Sequence, residues 1–225
     1  INGLGNENLT LSDSSLNASL LNALDGRTSG AINAASINTL TGSAADLISA
    51  YAANGSGITG LGNEAVNVNN GTASTSQANA LAAATSAVVT ATIADGDMAT
   101  LAGLNESGHA YAITITDNSV AASALNSLNG KTTVAINGSA ITTLTGTAAD
   151  LNTAYTSAGI NGLGNENLTL SDSSLNAAVL NALDGRTSGT INAASINTLT
   201  GSAADLNAAY TSAGINNLGN EAVTL

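Results

Sequence analysis

The sequence predicts an α/β fold, namely a right-handed parallel solenoid of strand–helix coils with one parallel sheet of about nine strands and helices on one side. The first observation behind this prediction is a repeated phrase. It reads TINAASINTLTGSAADLNAAY at Thr190–Tyr210, and near-copies occupy Ala31–Tyr51 and Val134–Tyr155. Each copy has the pattern of a short apolar strand, a turn and a short helix.

The second observation is the spacing of the apolar strands. Thr10 and Ile32 lie 22 residues apart, and Ile32 and Asn67 lie 35 apart. About 22 residues just suffice for a strand, a helix and a return to a parallel neighbouring strand. Short and long coils therefore alternate over most of the chain.

Helical spacing favours this fold over an all-β helix. Leucines four residues apart predict a helix from about Ser15 to Leu24, with Asp13 or Ser14 as N-cap and Gly26 at its end. Ser43-Ala-Ala-Asp46 resembles a capping box with Asp in place of Glu.

Three further helices are predicted, within Thr75–Ala87, at Asp97–Leu104 and ending near Leu128, the last capped by Asp117 or Asn118. The predicted strands are Leu9–Leu11, Ala31–Ala34, Ala65–Asn69, Val88–Ile93, Tyr111–Thr116, Val134–Asn137, Leu168–Leu170, Ile191–Ala193 and Val223–Leu225.

The repeats predict one continuous solenoid over 1–225. Its units are 1–26, 27–57, 58–87, 88–109, 110–130, 131–159, 160–185, 186–214 and a partial unit, 215–225. Ile1–Leu11 and Ile215–Leu225 are the same element in the same phase. We therefore expect a segment of a longer array, or a subunit that stacks end to end.

Composition narrows the classes of function. The net charge is −12, with 15 acidic and 3 basic residues, which argues against binding to nucleic acid or to an anionic membrane surface. Hydrophobic residues make up 44% but aromatic residues only 2%. Such a sequence suits a thin core of small aliphatic side chains, and its lack of cysteine is compatible with secretion. No apolar run of transmembrane length is present, so no membrane insertion is expected.

No catalytic or cofactor site is predicted, and the chain is not expected to be an enzyme. His109 is the single histidine, and the surrounding NESGHAY offers neither a cysteine nor a second histidine. A zinc site or a catalytic triad needs such partners. His109 is therefore interpreted as a loop residue.

The phrase GLGNENLTLSD, at Gly3–Asp13 and Gly162–Asp172, resembles the glycine-rich calcium repeats of secreted toxins and adhesins, with Asn-Glu in place of their Asp. Oxygen ligands suit calcium. The candidate ligands are Asn6, Glu7, Asp13, Asn165, Glu166 and Asp172. The alternative is a structural turn, in which glycine adopts positive φ and asparagine binds its own backbone.

Equivalent tyrosines end three of the helical segments, at Tyr51, Tyr155 and Tyr210. We expect their rings to pack and their hydroxyls to stay in water. A role in stacking sugars is an alternative.

The phrases LTGTAADLN, LDGRT and GLGNEAVTL resemble repeats of very large cell-surface or secreted proteins of marine cyanobacteria and other aquatic bacteria. A shorter likeness, limited to the helical segments, is to phage tail-fibre repeats. The first resemblance implies an extracellular or cell-surface location and a structural role in adhesion, a surface layer or a filament. Calcium or surface polysaccharide is the implied ligand of a binding module.

Self-association is expected where strands lie at the edge of the sheet, because unpaired strand edges are templates for pairing. The partner is then a second copy, joined end to end, or neighbouring repeats of a longer chain. The predicted edge residues are Leu9, Thr10, Leu11, Val223, Thr224 and Leu225.

Overall fold

The computed structural model describes residues 5–224, which divide into two compact units. The first unit runs up to Asp95 and also contains Gly103–Ile113 and Lys131–Val134. The second contains Gly96–Ala102, Thr114–Gly130 and the chain from Ala135 onward. The single continuous solenoid over 1–225 stays a prediction.

Short helices and very short strands alternate through the described residues. The helices are α1 (Ala18–Asp25), α2 (Ala44–Ala53), α3 (Thr75–Ala84), α4 (Met98–Leu101), α5 (Ala122–Asn129), α6 (Ala148–Thr156), α7 (Ala177–Asp184) and α8 (Ala203–Thr211). The strands are β1 (Leu9–Thr10), β2 (Ser15–Asn17), β3 (Ile32–Asn33), β4 (Thr39–Gly42), β5 (Ile58–Thr59), β6 (Ala65–Val68), β7 (Val89–Thr92), β8 (Ala110–Ala112), β9 (Ser119–Ala121), β10 (Ile136–Asn137), β11 (Thr143–Gly146), β12 (Ile160–Asn161), β13 (Asn167–Leu170), β14 (Ser174–Asn176), β15 (Ile191–Asn192), β16 (Thr198–Thr200), β17 (Ile215–Asn216) and β18 (Ala222–Thr224).

The α/β class with parallel strands is confirmed, but the expectation of one sheet of about nine strands is wrong. In the first unit the strands form two sheets, ordered β1-β3-β5 and β2-β4-β6-β7-β8. In the second unit they form three, ordered β10-β12, β17-β15-β13-β11-β9 and β14-β16-β18. All the paired strands run parallel.

Three of the additional strands, β4, β11 and β16, come from the TLTG phrase, which was predicted as part of a turn. In β4, Leu40 is fully buried while Thr39 and Thr41 are partly exposed. This alternation of an inward leucine with outward β-branched residues is the pattern of a half-buried strand. The repeat therefore contributes two strands before its helix, and the bend between them separates the sheets.

The first helix also begins later than predicted. Ser15–Asn17 forms β2 and pairs with β4, so that Leu16 lies opposite Leu40. The N-cap is Asn17, whose side chain accepts from the Ser19 amide at 2.9 Å, and neither Asp13 nor Ser14 has that role. The leucine of a TLTG-type strand next to it makes the extended conformation of Leu16 more favourable than another helical turn.

The capping interaction at α2 is confirmed with a different geometry. The Ser43 hydroxyl accepts from the Asp46 amide at 3.1 Å, and it donates to the Asp46 carboxylate at 2.6 Å. Aspartate is one methylene shorter than glutamate. Its carboxylate therefore binds the cap hydroxyl, whereas the glutamate of a standard box binds the cap backbone amide.

The helix α5 has no side-chain cap. Its N-cap residue is Ala121, and the predicted cap Asp117 instead accepts from the Met98 amide at 2.7 Å. Asp95 and Asp172 act in the same way, since they accept from the first amides of α3 and α6. A carboxylate beyond a strand thus satisfies the exposed amide of a helix that lies about 20 residues earlier in the chain.

Within each unit, successive helices pack on one another, and a recurring asparagine links three of these helix pairs. Asn22 of α1 donates to the Asp46 carbonyl at 2.9 Å. In the second unit Asn126 and Asn181 make the same contact at the same length. The core between helices and strands consists of Leu, Ile, Val and Ala side chains.

Candidate functional site: the tyrosine–glutamate pairs

The GLGNE phrase forms a similar tight turn in the copies that lie wholly within residues 5–224. Its second glycine has positive φ throughout, with values of 130° at Gly62 and 140° at Gly164. At the first position Gly162 has φ of 87°, and Asn217 replaces glycine there with φ of 66°. Asparagine tolerates this left-handed region better than other residues with a side chain. The turn, and not its exact sequence, is therefore what recurs.

In the second unit the turn holds a fully buried carboxylate. Glu166 has 0% exposure, and both of its carboxylate oxygens accept from the Gly164 amide, at 2.9 and 3.1 Å. The Tyr155 hydroxyl, at the end of α6, donates to the same carboxylate at 2.7 Å. A buried charge is costly unless hydrogen bonds satisfy it, and these donors supply them.

The first unit repeats this arrangement with a different loop length. Glu64 is 1% exposed, and its carboxylate accepts from the Gly62 and Asn63 amides and from the Tyr51 hydroxyl. Tyr51 and Glu64 are 13 residues apart, whereas Tyr155 and Glu166 are 11 apart. The pair is thus preserved across a two-residue difference in the connection.

A threonine of the following repeat binds the backbone of each of these glutamates. Thr85 donates to the Glu64 carbonyl at 2.7 Å, and Thr187 donates to the Glu166 carbonyl at 2.6 Å. In every case the threonine lies 21 residues after the glutamate, as it also does for Thr28, which donates to the Glu7 carbonyl. Glu64 and Glu166 are therefore each bound by a tyrosine of the preceding helix and by a threonine of the following repeat.

A glycine makes this close approach possible in two copies. A Cβ placed on Gly189 would lie 2.3 Å from the Glu166 carbonyl oxygen, and one on Gly30 would lie 2.2 Å from that of Glu7. Real Cβ atoms do not come so close to backbone oxygen. In these two copies the following strand passes so close to the turn that a Cβ does not fit, whereas the equivalent position beside Glu64 is occupied by Ala87.

The environment raises the pKa of the tyrosine hydroxyls. Burial, together with the hydrogen bond to Glu64, raises the pKa of Tyr51 well above its ordinary value. Burial and Glu166 do the same for the pKa of Tyr155. Both hydroxyls therefore stay protonated as donors and hold the negative carboxylate.

The pair formed by Tyr210 and Glu221 has the same bonds in a more open setting. Tyr210 is 43% exposed, and its hydroxyl donates to the Glu221 carboxylate. This hydrogen bond is the main reason that the pKa of Tyr210 rises to about 12. Burial acts to raise the pKa of Glu221, but the Tyr210 hydroxyl and the turn amides hold it below the ordinary value.

The prediction that the tyrosine hydroxyls stay in water is wrong for Tyr51 and Tyr155. Their hydroxyls are bound to glutamates that are almost completely buried. This role was not predicted from the sequence, where Glu166 was interpreted only as a candidate metal ligand and Glu64 was given no role. The signal that could have revealed it is the tyrosine that precedes three of the GLGNE-type phrases by a nearly fixed interval.

The calcium candidates of the second copy have separate environments. Glu166 is held inside the turn, Asn165 is exposed, and Asp172 accepts from the Ala148 amide at 2.7 Å. Among the described residues, no group of three or more His, Cys, Asp or Glu side chains is placed to hold a metal ion. Calcium binding stays a prediction.

In the first copy Glu7 accepts from the Gly5 amide at 2.6 Å, and this bond is the main cause that lowers its pKa. Asn6 and Asp13 are exposed.

The predicted edge residues lie in outer strands of their sheets. Leu9 and Thr10 form β1, which pairs with β3, and the Leu11 amide continues that ladder by donating to the Asn33 carbonyl at 3.0 Å. Val223 and Thr224 belong to β18, which pairs with β16, and Val223 is 50% exposed. Leu225 lies outside the described residues.

His109 is buried rather than a free loop residue, with 8% exposure. Its Nδ1 accepts from the Val89 amide at 3.1 Å, and its ring lies 5.4 Å from the Tyr111 ring. The burial and the acceptor role of His109 were not predicted, because a histidine that occurs once in the sequence cannot be compared between repeats.

Comparisons with protein-family models, with curated proteins and with solved structures found no match. None of the helices in residues 5–224 combines the length and the apolar character that crossing a lipid bilayer demands. The tyrosine–glutamate pairs are therefore interpreted on their own chemistry. That chemistry is a hydrogen-bonded junction that joins a helix, a turn and the next strand.

Proposed function

We propose that this chain is a structural, extended repeat segment of an extracellular adhesin, a surface layer or a filament, built as a right-handed parallel solenoid. The observation that carries the proposal is the recurrence of one junction at equivalent positions. Glu64 and Glu166 are each held by a tyrosine of the helix before and by a threonine of the repeat after. A protein whose polar side chains serve mainly to join neighbouring repeats is suited to form an extended structural segment that bears mechanical force.

Contacts between neighbouring repeats add along the chain of a repeat protein. In repeat proteins each unit contacts chiefly its neighbours, so the structure lengthens by adding units and gains stability from each interface. Here the junctions at Glu64 and Glu166 include buried charge-assisted bonds, which are stronger than neutral hydrogen bonds. The net charge of −12 keeps such an extended surface soluble and disfavours nonspecific collapse.

Self-association through strand edges is part of the proposal. The outer strands β1 and β18 each have one pairing partner among the described strands, so they can accept another strand. A head-to-tail contact between such edges generates open filaments. A second copy of this chain is the partner that we propose.

The first experiment tests location and size in the source cells. An antiserum against the 225-residue chain is used to measure the mass of the native polypeptide on a denaturing gel, and to label intact cells. Label on unbroken cells or in the medium, together with a native mass far above 21.7 kDa, is the expected result. A protein of about that mass, confined to the cell interior and monomeric, would overturn the proposal.

The second experiment tests the edges. Val223→Lys places a charge in the edge strand β18, and it is expected to reduce assembly in sedimentation velocity. Val179→Lys is the matched control, because Val179 is also exposed, at 40%, but lies on the helix α7. Equal assembly of both variants and the parent chain would exclude β18 as a contact.

Binding of calcium or carbohydrate, or a place in a phage fibre, stays the alternative. Calorimetric titration with calcium, paired with thermal unfolding in a chelator, separates calcium binding from the structural proposal. Heat of binding and a lowered unfolding temperature in chelator would favour the alternative. No heat and an unchanged transition would remove calcium from it.

A further inference from the structure

His109 joins three segments of the first unit through both its ring and its backbone. The ring nitrogen Nδ1 accepts from the Val89 amide of β7 at 3.1 Å. The backbone carbonyl accepts from the Thr133 amide at 2.9 Å and from the Thr133 hydroxyl at 3.1 Å. His109 also forms an isolated parallel bridge with Thr132. One residue thus connects β7, the start of β8 and the segment at 131–134.

The ring occupies a position that a backbone carbonyl would fill in a longer ladder. β7 and β8 pair from Thr90 and Ala110 onward, so the Val89 amide lies at the beginning of the ladder. The imidazole extends the ladder by one hydrogen bond. This bond requires a lone pair on Nδ1, and the proton of the neutral ring is therefore on Nε2.

A non-titrating version of the same bond occurs in the second unit. The Thr190 amide, directly before β15, donates to the Asn167 side-chain oxygen at 2.9 Å. There too a side chain begins a parallel ladder, but the acceptor is an amide oxygen that has no protonation change near neutral pH. The two ladders differ in one chemical property, which is the ability of the acceptor to take up a proton.

We propose that His109 is an acid-sensitive latch in the first unit, whose protonation at Nδ1 releases the Val89 amide and loosens the pairing of β7, β8 and the segment at 131–134. The protonated ring has only donors, so Nδ1–H would face the N–H of Val89. Because β8 is the outer strand of the sheet β2-β4-β6-β7-β8, the opening stays local.

Few titratable or charged groups lie near His109. On the segment of His109 itself these are Glu106 and the hydroxyl of Tyr111. The segment at 131–134 contributes Lys131, whose ammonium donates to the Asn105 carbonyl at 2.8 Å, and β7 has no ionisable side chain.

Burial is the largest effect on His109 and lowers its pKa below the ordinary value of 6.5, while Glu106 acts in the opposite sense. The folded state therefore favours the neutral ring more than the unfolded chain does. This contribution to stability is present above pH 6.5 and is lost as the pH falls through the pKa of the folded state. The latch is closed in neutral or alkaline medium and opens in acid.

Amide hydrogen exchange followed by NMR tests this inference on the whole chain. Protection factors, which correct for the intrinsic effect of pH, are measured from about pH 7.5 to about pH 5. Protection of the Val89 amide is expected to fall about tenfold over this range, while that of the Thr190 amide stays constant. Equal behaviour of the two amides would overturn the proposal.

The variant His109→Asn supplies the matched control. Asparagine places an oxygen close to the position of Nδ1 but does not titrate, so protection of Val89 is expected to be independent of pH in this variant. A fall as large as in the parent chain would show that another group causes the opening. Circular dichroism at about pH 7.5 checks that the variant is folded.

A direct titration of the ring keeps the test decisive if the variant does not fold. As the single histidine of the chain, His109 gives one set of imidazole resonances. Their midpoint is expected below 6.5 and should coincide with the loss of Val89 protection. A midpoint at or above that value, or one separated from the change at Val89, would contradict the latch.

Discussion

Two tyrosine–glutamate pairs in the second unit have the same side chains and differ in their surroundings. Tyr155 and Glu166 form a pair whose carboxylate has 0% exposure, whereas Tyr210 of the other pair is 43% exposed. In both, the hydroxyl donates to the carboxylate and the turn amide binds the same oxygens. The local sequence therefore builds the pair, but it does not bury it.

The burial of Glu166 comes from the strand–helix repeat that follows. Thr187 donates to its carbonyl, and Gly189 lies so close that a Cβ on it would be 2.3 Å from that oxygen. The same hydrogen bond is worth more where water is excluded, because an unpaired group then has no alternative partner. Matched substitutions at the two pairs should consequently have very different effects on the free energy of unfolding.

The largest effect is expected from Gly189→Ala, which pushes a methyl group into the Glu166 carbonyl. Separating the strand from the turn should lower the free energy of unfolding by about 3 kcal/mol or more. Gly185→Ala is the control, because its Cβ would lie 3.7 Å from the Ala182 oxygen, an ordinary contact. Urea unfolding of both variants measures the difference, and equal midpoints would refute the close-approach argument.

Removal of the carboxylate comes next. Glu166→Ala leaves the Tyr155 hydroxyl and the Gly164 amide without their partner in a buried site, at a cost of about 3 kcal/mol. Glu221→Ala should cost less than about 1 kcal/mol because water replaces the lost acceptor. Chemical denaturation compares the two. A loss at Glu221 as large as that at Glu166 would show that burial is not the deciding factor.

Removal of only the tyrosine hydroxyl should give a smaller difference between the two pairs in the free energy of unfolding. Tyr155→Phe takes one donor from a buried carboxylate that keeps its bond to the turn amide, and a loss of about 1–2 kcal/mol is expected. Tyr210→Phe should lie within about 0.5 kcal/mol of the parent chain. Thermal unfolding at neutral pH is a sufficient measurement, and a reversed order would break the comparison.

The alkaline titration should distinguish the two tyrosines without a loss of structure at neutral pH. Their folded-state pKa values are raised, so the contribution to stability is present below the ordinary value of 10 and is lost as the pH rises through the folded values. Tyr210, with a pKa of about 12, should ionise before Tyr155. Tyrosinate absorbance assigns each step by comparison with the two Phe variants, and ionisation near 10 at Tyr155 would contradict its burial.

Local signals predicted much of the repeating pattern of strand and helix. The SAAD phrase located the start of α2, and Ser43 caps it. The TLTG phrase was misinterpreted because a strand of three or four residues between two turns resembles a turn itself. Its partner strand lies about 25 residues away in the chain, and only pairing with that strand makes the extended conformation favourable.

The residues of the candidate site were visible in the sequence, but their roles were not. Glu166 was recognised as a candidate ligand, and Tyr155 as a recurring aromatic residue, yet nothing in the local pattern indicates that they meet. His109 is a second case, because its acceptor role depends on the Val89 amide, 20 residues earlier.

The sequence by itself determined the α/β class, the strand–helix repeat and the tight GLGNE turn, because helix caps, turn glycines and apolar spacing act within a few residues. Only the tertiary structure decided that the strands divide among several sheets, that Glu166 is buried, and that His109 completes a ladder. Each of these depends on contacts between residues about 20 positions apart, where the stacking of one repeat on the next determines which polar groups lose their water.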